Sequence, residues 1–334
     1  MKIYMAPMEG PTGFVFRRTY NKYFGGIDRY FTPFVTGLNL GAKEKKDICP
    51  ENNPGMDVAT QILTRQVDEF LSVANYIHKE YGYERININL GCPSGTVVAR
   101  KRGSGFLLVP EELDNFLYEI FEKSPIKISI KTRIGVESED EWERLLEIYE
   151  KYPLDELIIH PRLRTDFYKN DIHHECFKKA YESSKHSLCY NGDINTVEDF
   201  IEIKKRYPNI NAIMIGRGLL RNPFLVEEIR QVMENDILHG KENVIKKSGK
   251  NRESCDVKTE VHLTGNERLR AFLKELENGY LDSMPDGEKN TLAKMKELWV
   301  YLGEVRPEHK KALKEVKKAK DLDEYHAAIS SILI

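Results

Sequence analysis

The segment that decides the fold runs from Asn87 to Gly105 and reads NINLGCPSGTVVARKRGSG. An apolar strand ends here at a turn that places one thiol, Cys92, between Gly91 and Pro93. A cysteine at the end of a buried strand is often an inert small hydrophobe. Here glycine lets the backbone turn, proline makes the exit rigid, and a basic loop without acidic residues follows. The segment therefore predicts a strand that ends at a functional cysteine, beside a loop that can face a polyanion.

Outward from this segment, short apolar runs rich in β-formers alternate with helix-patterned stretches over the first two-thirds of the chain. Eight runs are strand candidates: 3–6, 30–35, 58–63, 85–90, 126–131, 156–160, 187–191 and 212–215. Helical periodicity is clear at 12–24, 65–81, 110–123, 139–151, 173–184 and 196–207. This alternation predicts a (β/α)8 TIM barrel, with its active site where the strands end. A doubly wound open sheet is the main rival, but no GxGxxG follows the first strand.

The bulk composition is that of an ordinary globular protein. The 334 residues are 31% charged with a formal net charge of -2, so any surface for a polyanion must be local. The five cysteines are odd in number and lack a CxxC pair, which predicts free thiols and no metal cluster. The first residues do not read as a signal peptide, and no apolar run reaches membrane-spanning length. We therefore expect a cytoplasmic protein without a membrane partner, and no obligate protein partner is evident.

The sequence pattern changes in the C-terminal third of the chain, where the alternation of strand and helix signals ends. We expect the barrel to occupy 1–238, a linker or irregular loop 239–265 and a helical domain 266–334. Within that domain, residues 306–320 include seven basic residues against two acids, and Lys310, Lys314 and Lys317 share one helical face. Such a run is most often only a solvated face. Together with the basic loop Arg100, Lys101 and Arg102, it predicts a phosphate-binding surface.

Residues that can contact a ligand or carry chemistry collect at the strand ends, and most of them are polar. They are Met8, Glu9, Gln61, Asn89, Cys92, Lys131, Arg133, His160 and Arg162. The last two strands end in glycine turns, Asn191-Gly192-Asp193 and Gly216-Arg217-Gly218. In (β/α)8 enzymes the loops after strands seven and eight commonly bind phosphate, because glycine lets backbone N–H groups approach oxygen. The two turns therefore predict a phosphorylated ligand or cofactor.

Two strand-end residues allow several interpretations. Lys131 could be a fixed cation against an electron-rich ring, a Schiff-base nucleophile or a structural ion-pair partner. We favour the fixed cation, because nothing in the sequence indicates the strong desolvation that a nucleophilic lysine needs. His160 could be an acid/base group, a hydrogen-bond donor to a ring or a core histidine. Its position between an apolar run and Pro161 favours a side chain that faces the site.

Seven motifs in order give the barrel portion a resemblance to the flavin-dependent tRNA-dihydrouridine synthases. The resemblance covers roughly residues 1–235. The motifs are APMEGPT from Ala6 with Phe16-Arg17, Gln61, NLGCPS from Asn89, KRGSGFLL from Lys101, KTRIG from Lys131, NGDI from Asn191 and MIGRG from Met214. Departures are Gly13 and Asn87, where the family usually has aspartate, and HPRLRTDFYK in place of a His-Gly-Arg-Thr form. The departures bear on the subfamily and the target position, and the reaction is expected to be the same.

The resemblance implies an FMN at the barrel mouth and NADPH or NADH as reductant. The FMN phosphate would lie at Asn191, Gly192, Asp193, Gly216 and Arg217, and the ring would contact Ala6, Pro7, Met8, Gln61, Lys131 and His160. It also implies that Cys92 donates a proton to C5 of a uracil while hydride reaches C6. A thiol with an ordinary pKa of about 8.5 is mainly protonated near neutrality and can act as a general acid.

The implied substrate is tRNA, with the target uridine flipped out of its stack. Asn89 and Arg133 are candidates to read the base, and Arg162 and Arg164 to reach its phosphate. Phosphate contacts would come from Arg100, Lys101, Arg102, Lys310, Lys314 and Lys317. Alternatives are ribosomal RNA as target, a flavin barrel that reduces a small pyrimidine or enone, an aldolase that uses Lys131, and a non-catalytic RNA-binding protein.

Overall fold

A computed structural model describes residues 1–245 and 264–333. Eight parallel strands form a closed barrel in chain order, and β1 pairs with β8 to complete it. The strands are β1 (Lys2–Met5), β2 (Arg29–Phe31), β3 (Val58–Ile62), β4 (Arg85–Leu90), β5 (Lys127–Gly135), β6 (Glu156–Leu163), β7 (Leu188–Tyr190) and β8 (Ala212–Ile215). The predicted (β/α)8 fold is therefore confirmed.

Helices follow the strands on the outside of the barrel. They are α1 (Phe14–Tyr23), α2 (Ala42–Ile48), α3 (Val67–Tyr81), α4 (Gly95–Val98), α5 (Pro110–Lys123), α6 (Glu141–Tyr149), α7 (His174–Ser183), α8 (Val197–Arg206) and α9 (Arg217–Arg221). Pro110 opens α5 with Glu111 and Glu112 in its first turn, as expected because proline lacks an N–H and carboxylates suit the positive end of the helix dipole.

Three strands differ by three residues in length from their predicted ranges. β2 ends at Phe31 because Pro33 cannot donate to the ladder, and only an isolated bridge joins Val35 to Ile62 beyond it. β5 and β6 run further than predicted, to Gly135 and Leu163, with a register shift between them. Such a shift re-aims side chains at the rim of a barrel. The extension brings more side chains of β5 and β6 to the mouth.

Alternate residues of the strands fill the barrel interior. The buried inner cluster consists of Tyr4, Ala6, Phe31, Ala59, Ile158, Cys189, Ala212 and Met214. At the opposite end from the mouth, the Tyr4 hydroxyl donates to Glu156 Oε1 (2.8 Å), and Arg29 Nη1 lies 3.6 Å from Glu156 Oε2. Burial is the main cause that raises the pKa of Glu156 from its ordinary 4.5 to about 7.

A buried arginine holds the segment between β2 and β3 against the start of α1. Arg17 Nη2 donates to Asn53 Oδ1 (2.9 Å) and to the Asp47 carbonyl (2.6 Å), and Nη1 donates to the Thr12 carbonyl (2.9 Å). Asp47 Oδ1 lies 3.4 Å from Arg17 Nη1 and also accepts from the Phe14 N–H (2.6 Å). Both charged side chains are buried, so each depends on the other for its stability.

The chain divides into two compact units. One contains 1–18 and 27–218, and the other contains 19–26 and 219–334. The barrel was predicted to end at 238, but that position lies within α10 (Leu225–Ile245), which belongs to the second unit. The predicted linker 239–265 is therefore helical up to Ile245, because the helical pattern does not break where the composition becomes polar. Residues 246–263 of that linker lie outside the described residues.

The second unit is helical. Beyond α10 it contains α11 (Gly265–Ser283), α12 (Gly287–Leu302), α13 (Lys310–Lys318) and α14 (Leu322–Ser330). Trp299 Nε1 donates to the Tyr325 hydroxyl (2.9 Å), and Phe24 packs edge-on against Phe224 and Phe272 with ring centroids 5.0 Å apart in each pair. Across the ranges 1–245 and 264–333, no helix has the length and apolar character needed to span a bilayer.

Candidate active site

The residue that carries the thiol sits in a loop just after β4. Asn89 fixes this loop, because its Oδ1 accepts from the N–H groups of Gly91 (3.0 Å) and Cys92 (2.9 Å). The Cys92 side chain is half-buried. Burial is the largest cause that raises the pKa of its thiol, against the Ser94 N–H and the nearby Arg133 charge, which lower it. Cys92 is therefore protonated at neutral pH and suited to donating a proton.

A chain of buried side-chain hydrogen bonds links three neighbouring strands of the barrel next to the cysteine loop. Asn89 Nδ2 donates to Gln61 Oε1 (2.7 Å), Gln61 Nε2 donates to Asn87 Oδ1 (2.8 Å), and Asn87 Nδ2 donates to Ser129 Oγ (2.9 Å). These bonds join β3, β4 and β5 and fix which way each amide faces. Asn89 was predicted to read the substrate base, but both its oxygen and an amide hydrogen are already bonded within the protein.

Lys131 lies beside Asn89 in the β4–β5 register. Its ammonium group has no hydrogen-bond or ion-pair partner among residues 1–245 and 264–333. Burial first, and the Arg133 charge second, lower the pKa of Lys131 from 10.5 to about 8. An unpaired cation at the mouth of a barrel suits a ligand that is anionic or becomes so.

His160 is a buried neutral imidazole surrounded by cations. Burial is the main cause that lowers its pKa well below 6.5, and the charges of Arg133, Lys131 and Arg162 lower it further. Arg162 Nη1 lies 3.3 Å from His160 Nε2. Because a guanidinium can only donate, Nε2 accepts and Nδ1 carries the proton. In the part of the chain that the structure describes, no group of three or more possible metal ligands comes together.

The two glycine turns lie side by side, because Asn191 Nδ2 donates to the Met214 carbonyl (2.8 Å). The backbone N–H groups of Gly192 and Gly216 have no hydrogen-bond partner among the described residues. A Cβ at Gly192 would lie 2.9 Å from Ile172 Cδ1, and one at Gly216 would lie 3.4 Å from Met8 Sδ. Free N–H donors without covering side chains form a cradle that suits phosphate oxygens.

The Asp193 carboxylate is held by two arginines. Arg162 Nη2 donates to its Oδ2, and Arg217 Nη2 donates to its Oδ1 (2.5 Å). Burial acts to raise the pKa of Asp193, but the bonds and charges of both arginines outweigh it and lower the pKa. A carboxylate would repel a phosphate, so the Asp193 side chain is better suited to aiming Arg217 than to binding the ligand.

Two of the other predicted base and phosphate readers, Arg133 and Arg162, are occupied, whereas the buried Nε of Arg164 has no hydrogen-bond partner among the described residues. Arg133 is buried, and its guanidinium donates to the carbonyls of Gly91 (2.9 Å), Leu163 (2.7 Å) and Phe167 (2.8 Å). The Arg162 Nε donates to the Asn170 carbonyl (2.7 Å). Arg164 lies with its guanidinium carbon 5.7 Å from the Phe167 ring. Arg133 and Arg162 thus brace the loop after β6, and Arg164 lies along that loop.

Sequence reasoning missed Tyr168, which lies in that loop. Its ring is stacked on His160 at 5.9 Å, and the guanidinium carbons of Arg133 and Arg217 each lie 5.2 Å from its centroid. The only signal in the sequence was an aromatic pair within the unusual HPRLRTDFYK stretch. The two cation–π contacts and the stacked imidazole hold the Tyr168 ring beside His160.

The basic loop after Cys92 is largely paired. Arg102 Nη2 lies 3.1 Å from Glu69 Oε2, and Lys101 Nζ lies 3.5 Å from Glu112 Oε1. Arg100 is exposed and has no ion-pair partner among the described residues. One of the three predicted phosphate contacts is therefore free in this structure, and the other two would have to leave a carboxylate.

In the helical unit, α13 presents the predicted lysine face to solvent. Lys310, Lys314 and Lys317 are exposed and have no ion-pair partner within the described ranges, while Val316 faces the core. Neighbouring Lys318 is 3.7 Å from Glu315. The face keeps its positive charge available for an anionic partner.

These features together define the class of the protein. A closed (β/α)8 barrel that brings a thiol, an ammonium group unpaired among the described residues and two adjacent glycine turns to one mouth has the architecture of a TIM-barrel enzyme. A family model described as Dihydrouridine synthase (Dus) matches residues 4–317. The chain belongs to the dihydrouridine synthase family and is an oxidoreductase.

Named relatives agree with this assignment. The chain is 29% identical over 237 residues to tRNA-dihydrouridine synthase B of Pasteurella multocida, covering 70% of each chain. It is 29% identical over 236 residues to probable tRNA-dihydrouridine synthase 2 of Bacillus subtilis, covering 67% of this chain and 70% of the relative. A solved structure of morphinone reductase superposes with a TM-score of 0.48 at 12% identity, covering 69% of this chain and 86% of the other. That last similarity is too low to support an argument about function.

Proposed function

We propose that this enzyme reduces specific uridines of tRNA to 5,6-dihydrouridine, with FMN as its cofactor and NADPH or NADH as reductant. The observation that carries the proposal is the protonated Cys92 thiol facing the same barrel mouth as the unpaired Lys131 ammonium and the phosphate cradle. Family membership supports the reaction class. We also propose a cytoplasmic location, which a tRNA substrate supports.

The residues present fit an FMN. The free N–H groups of Gly192 and Gly216, together with Arg217, would hold its phosphate, and Asp193 would keep Arg217 in place. Ala6, Pro7 and Met8 follow β1 beside the cradle, and Met8 Sδ would lie 3.4 Å from a Cβ at Gly216. When bound, FMN would supply the hydride that adds at C6 of the uracil ring, and the nicotinamide cofactor would reduce the flavin again.

Cys92 supplies the proton that balances this hydride. Addition of hydride at C6 leaves an electron pair at C5, and the S–H bond breaks as the new C5–H bond forms. The thiolate left behind regains its proton from solvent. Because burial raises the pKa of Cys92, the thiol is the resting form at neutral pH. The role follows from the protonation state, since a standing thiolate would have no proton to give.

Lys131 and His160 flank the same space with different charges. Lys131, with a pKa of about 8, is mainly cationic at neutral pH and stabilises negative charge on a ring placed against it. His160 stays neutral, and its Nδ1–H can donate to a carbonyl without adding charge. Tyr168 lies over His160, so a flipped base would enter beside its ring.

RNA affinity would come from charges outside the pocket. Arg100 on the barrel unit and Lys310, Lys314 and Lys317 on the helical unit are exposed cations that suit phosphate contacts. Such contacts carry no sequence information, so the shape of the folded RNA would select the target uridine.

Purified protein tests the proposal. It should be yellow and should lose its colour when NADPH is added. Addition of tRNA that lacks dihydrouridine should restore the colour, and mass spectrometry should then detect dihydrouridine in that tRNA. Cys92→Ala should keep flavin reduction by NADPH and lose most turnover with tRNA. A protein that takes up no FMN contradicts the proposal. Ribosomal RNA, offered in place of tRNA, tests the alternative target.

A further inference from the structure

The main chain of Cys92 is held at both of its polar groups. Its N–H donates to Asn89 Oδ1 (2.9 Å), and its carbonyl accepts from the N–H (3.1 Å) and from Oγ (2.8 Å) of Ser104. Ser104 is completely buried. Two donors from one residue use both lone pairs of the carbonyl. The residue that carries the thiol therefore cannot shift without losing bonds to Ser104.

Glycines on both sides of Ser104 allow this close approach. Gly103 has a φ of 57°, and a Cβ there would lie 2.9 Å from the Cys92 carbonyl oxygen and 3.0 Å from Cys92 Cβ. At Gly105 a Cβ would lie 2.8 Å from Val98 Cα. Any side chain at these positions would push against the cysteine loop or against α4. The approach of the two segments is therefore set by backbone contact.

The turn that contains Ser104 is itself fixed to the barrel wall. Residues Gly103–Leu108 form a 3-10 turn in which Phe106 and Leu107 are buried. The Phe106 ring lies 5.4 Å from the ring of Phe116 on α5. A rigid path thus runs from α5 through Phe106 and Ser104 to the carbonyl of Cys92.

We propose that Ser104 is a positioning residue that holds the Cys92 thiol in the geometry for proton donation, acting through the Cys92 carbonyl. The inference rests on the proposed role of Cys92. A donor displaced by about 1 Å can lose about 100-fold in rate. In this role Ser104 touches neither the substrate nor the cofactor, and it affects the proton-transfer step alone.

Ser104→Ala tests the proposal, because it removes Oγ and keeps the N–H bond. In the holoenzyme, the single-turnover oxidation of NADPH-reduced flavin by an unmodified tRNA transcript should be about tenfold slower at saturating tRNA. The tRNA concentration for half-maximal rate, the flavin content and the rate of flavin reduction should not change. Ser183→Ala is the control for loss of a serine hydroxyl, since Ser183 Oγ also donates to a carbonyl, that of Lys179 (2.7 Å), at an exposed site on α7.

A second variant, Gly103→Ala, displaces Cys92 by contact and should slow the same step. Saturating rates equal to wild type in both variants overturn the proposal. So does a loss that appears only as weaker tRNA binding or lower flavin content. If the wild-type protein oxidises no flavin with tRNA, the proposed function fails. Alkylation of Cys92 by iodoacetamide, followed by peptide mass spectrometry, then decides the inference: faster alkylation in Ser104→Ala supports it and an equal rate overturns it.

Discussion

The contribution of Glu156 to the free energy of unfolding falls as the pH rises. Its carboxyl is buried at the end of the barrel opposite the mouth, and its pKa in the folded protein is about 7, against an ordinary value of 4.5. An acid whose pKa is raised by folding stabilises the native state while protonated and loses that contribution as pH rises towards the folded pKa. Between about pH 5 and about pH 8, the wild-type protein should lose about 2.5 kcal/mol of unfolding free energy through this group.

Glu156→Gln removes the titration and keeps an oxygen to accept from the Tyr4 hydroxyl. The variant should become more stable relative to wild type as pH rises, by about 2.5 kcal/mol over the same interval, because groups common to both proteins cancel. The measurement is urea unfolding followed by Trp142 fluorescence in a Trp299→Phe background, so that the buried tryptophan of the barrel unit reports alone.

Glu119→Gln serves as the control, because Glu119 is an exposed carboxylate on α5 paired with Lys123. The comparison separates the effect of the buried site from that of exchanging a carboxylate for an amide on the surface. Parallel stability curves for wild type and Glu156→Gln would refute the reasoning, since they would mean that Glu156 has the same proton affinity in both states.

Further changes separate the roles of other residues. Gly192→Ala should weaken FMN binding about tenfold, seen by flavin fluorescence titration, because the new Cβ would lie 3.0 Å from the hydroxyl and 3.2 Å from Cζ of the buried Tyr190 and would displace the turn. Asp47→Ala should destabilise the protein by about 3 kcal/mol in urea unfolding, since it leaves Arg17 buried without a countercharge. Replacing Lys310, Lys314 and Lys317 together by alanine should lower the salt-dependence slope of tRNA binding by about 2 to 3, with NADPH-driven flavin reduction unchanged; an unchanged slope would remove α13 from the RNA contact.

The sequence predicted the barrel because its strand signals are local. Alternating and apolar runs predicted all eight strands, and Gln61, Lys131, His160 and the two glycine turns stand at the ends of those strands. These residues lie at one mouth because parallel strands bring their carboxyl ends together. The free thiols of Cys49, Cys92, Cys176 and Cys189 were also predicted correctly, while Cys255 lies outside the described residues.

What the sequence could not reveal depends on contacts between distant segments. Arg133 looked like a base reader, but carbonyls of two other loops use its donors. Asp193 looked like part of the phosphate site, but Arg162 reaches it from β6. Hydrogen-bond partners far apart in the chain leave no periodic signal, so a polar side chain at a strand end can be identified before its partner can. The predicted end of the barrel at 238 falls within α10, which lies wholly in the second unit, because the helical pattern is the same on both sides of the boundary near 218.

The ion pairs of the loop after Cys92 affect which anions its three cations can bind. A single phosphate meets one unpaired cation, Arg100, and would have to separate Lys101 from Glu112 or Arg102 from Glu69 to gain another. A mononucleotide gains little from that exchange, because exposed ion pairs and their replacements are similar in energy. A chain of closely spaced phosphates can engage all three cations at once and release several counterions. In the proposed function, the loop would therefore favour a polynucleotide over the free nucleotides of the cell.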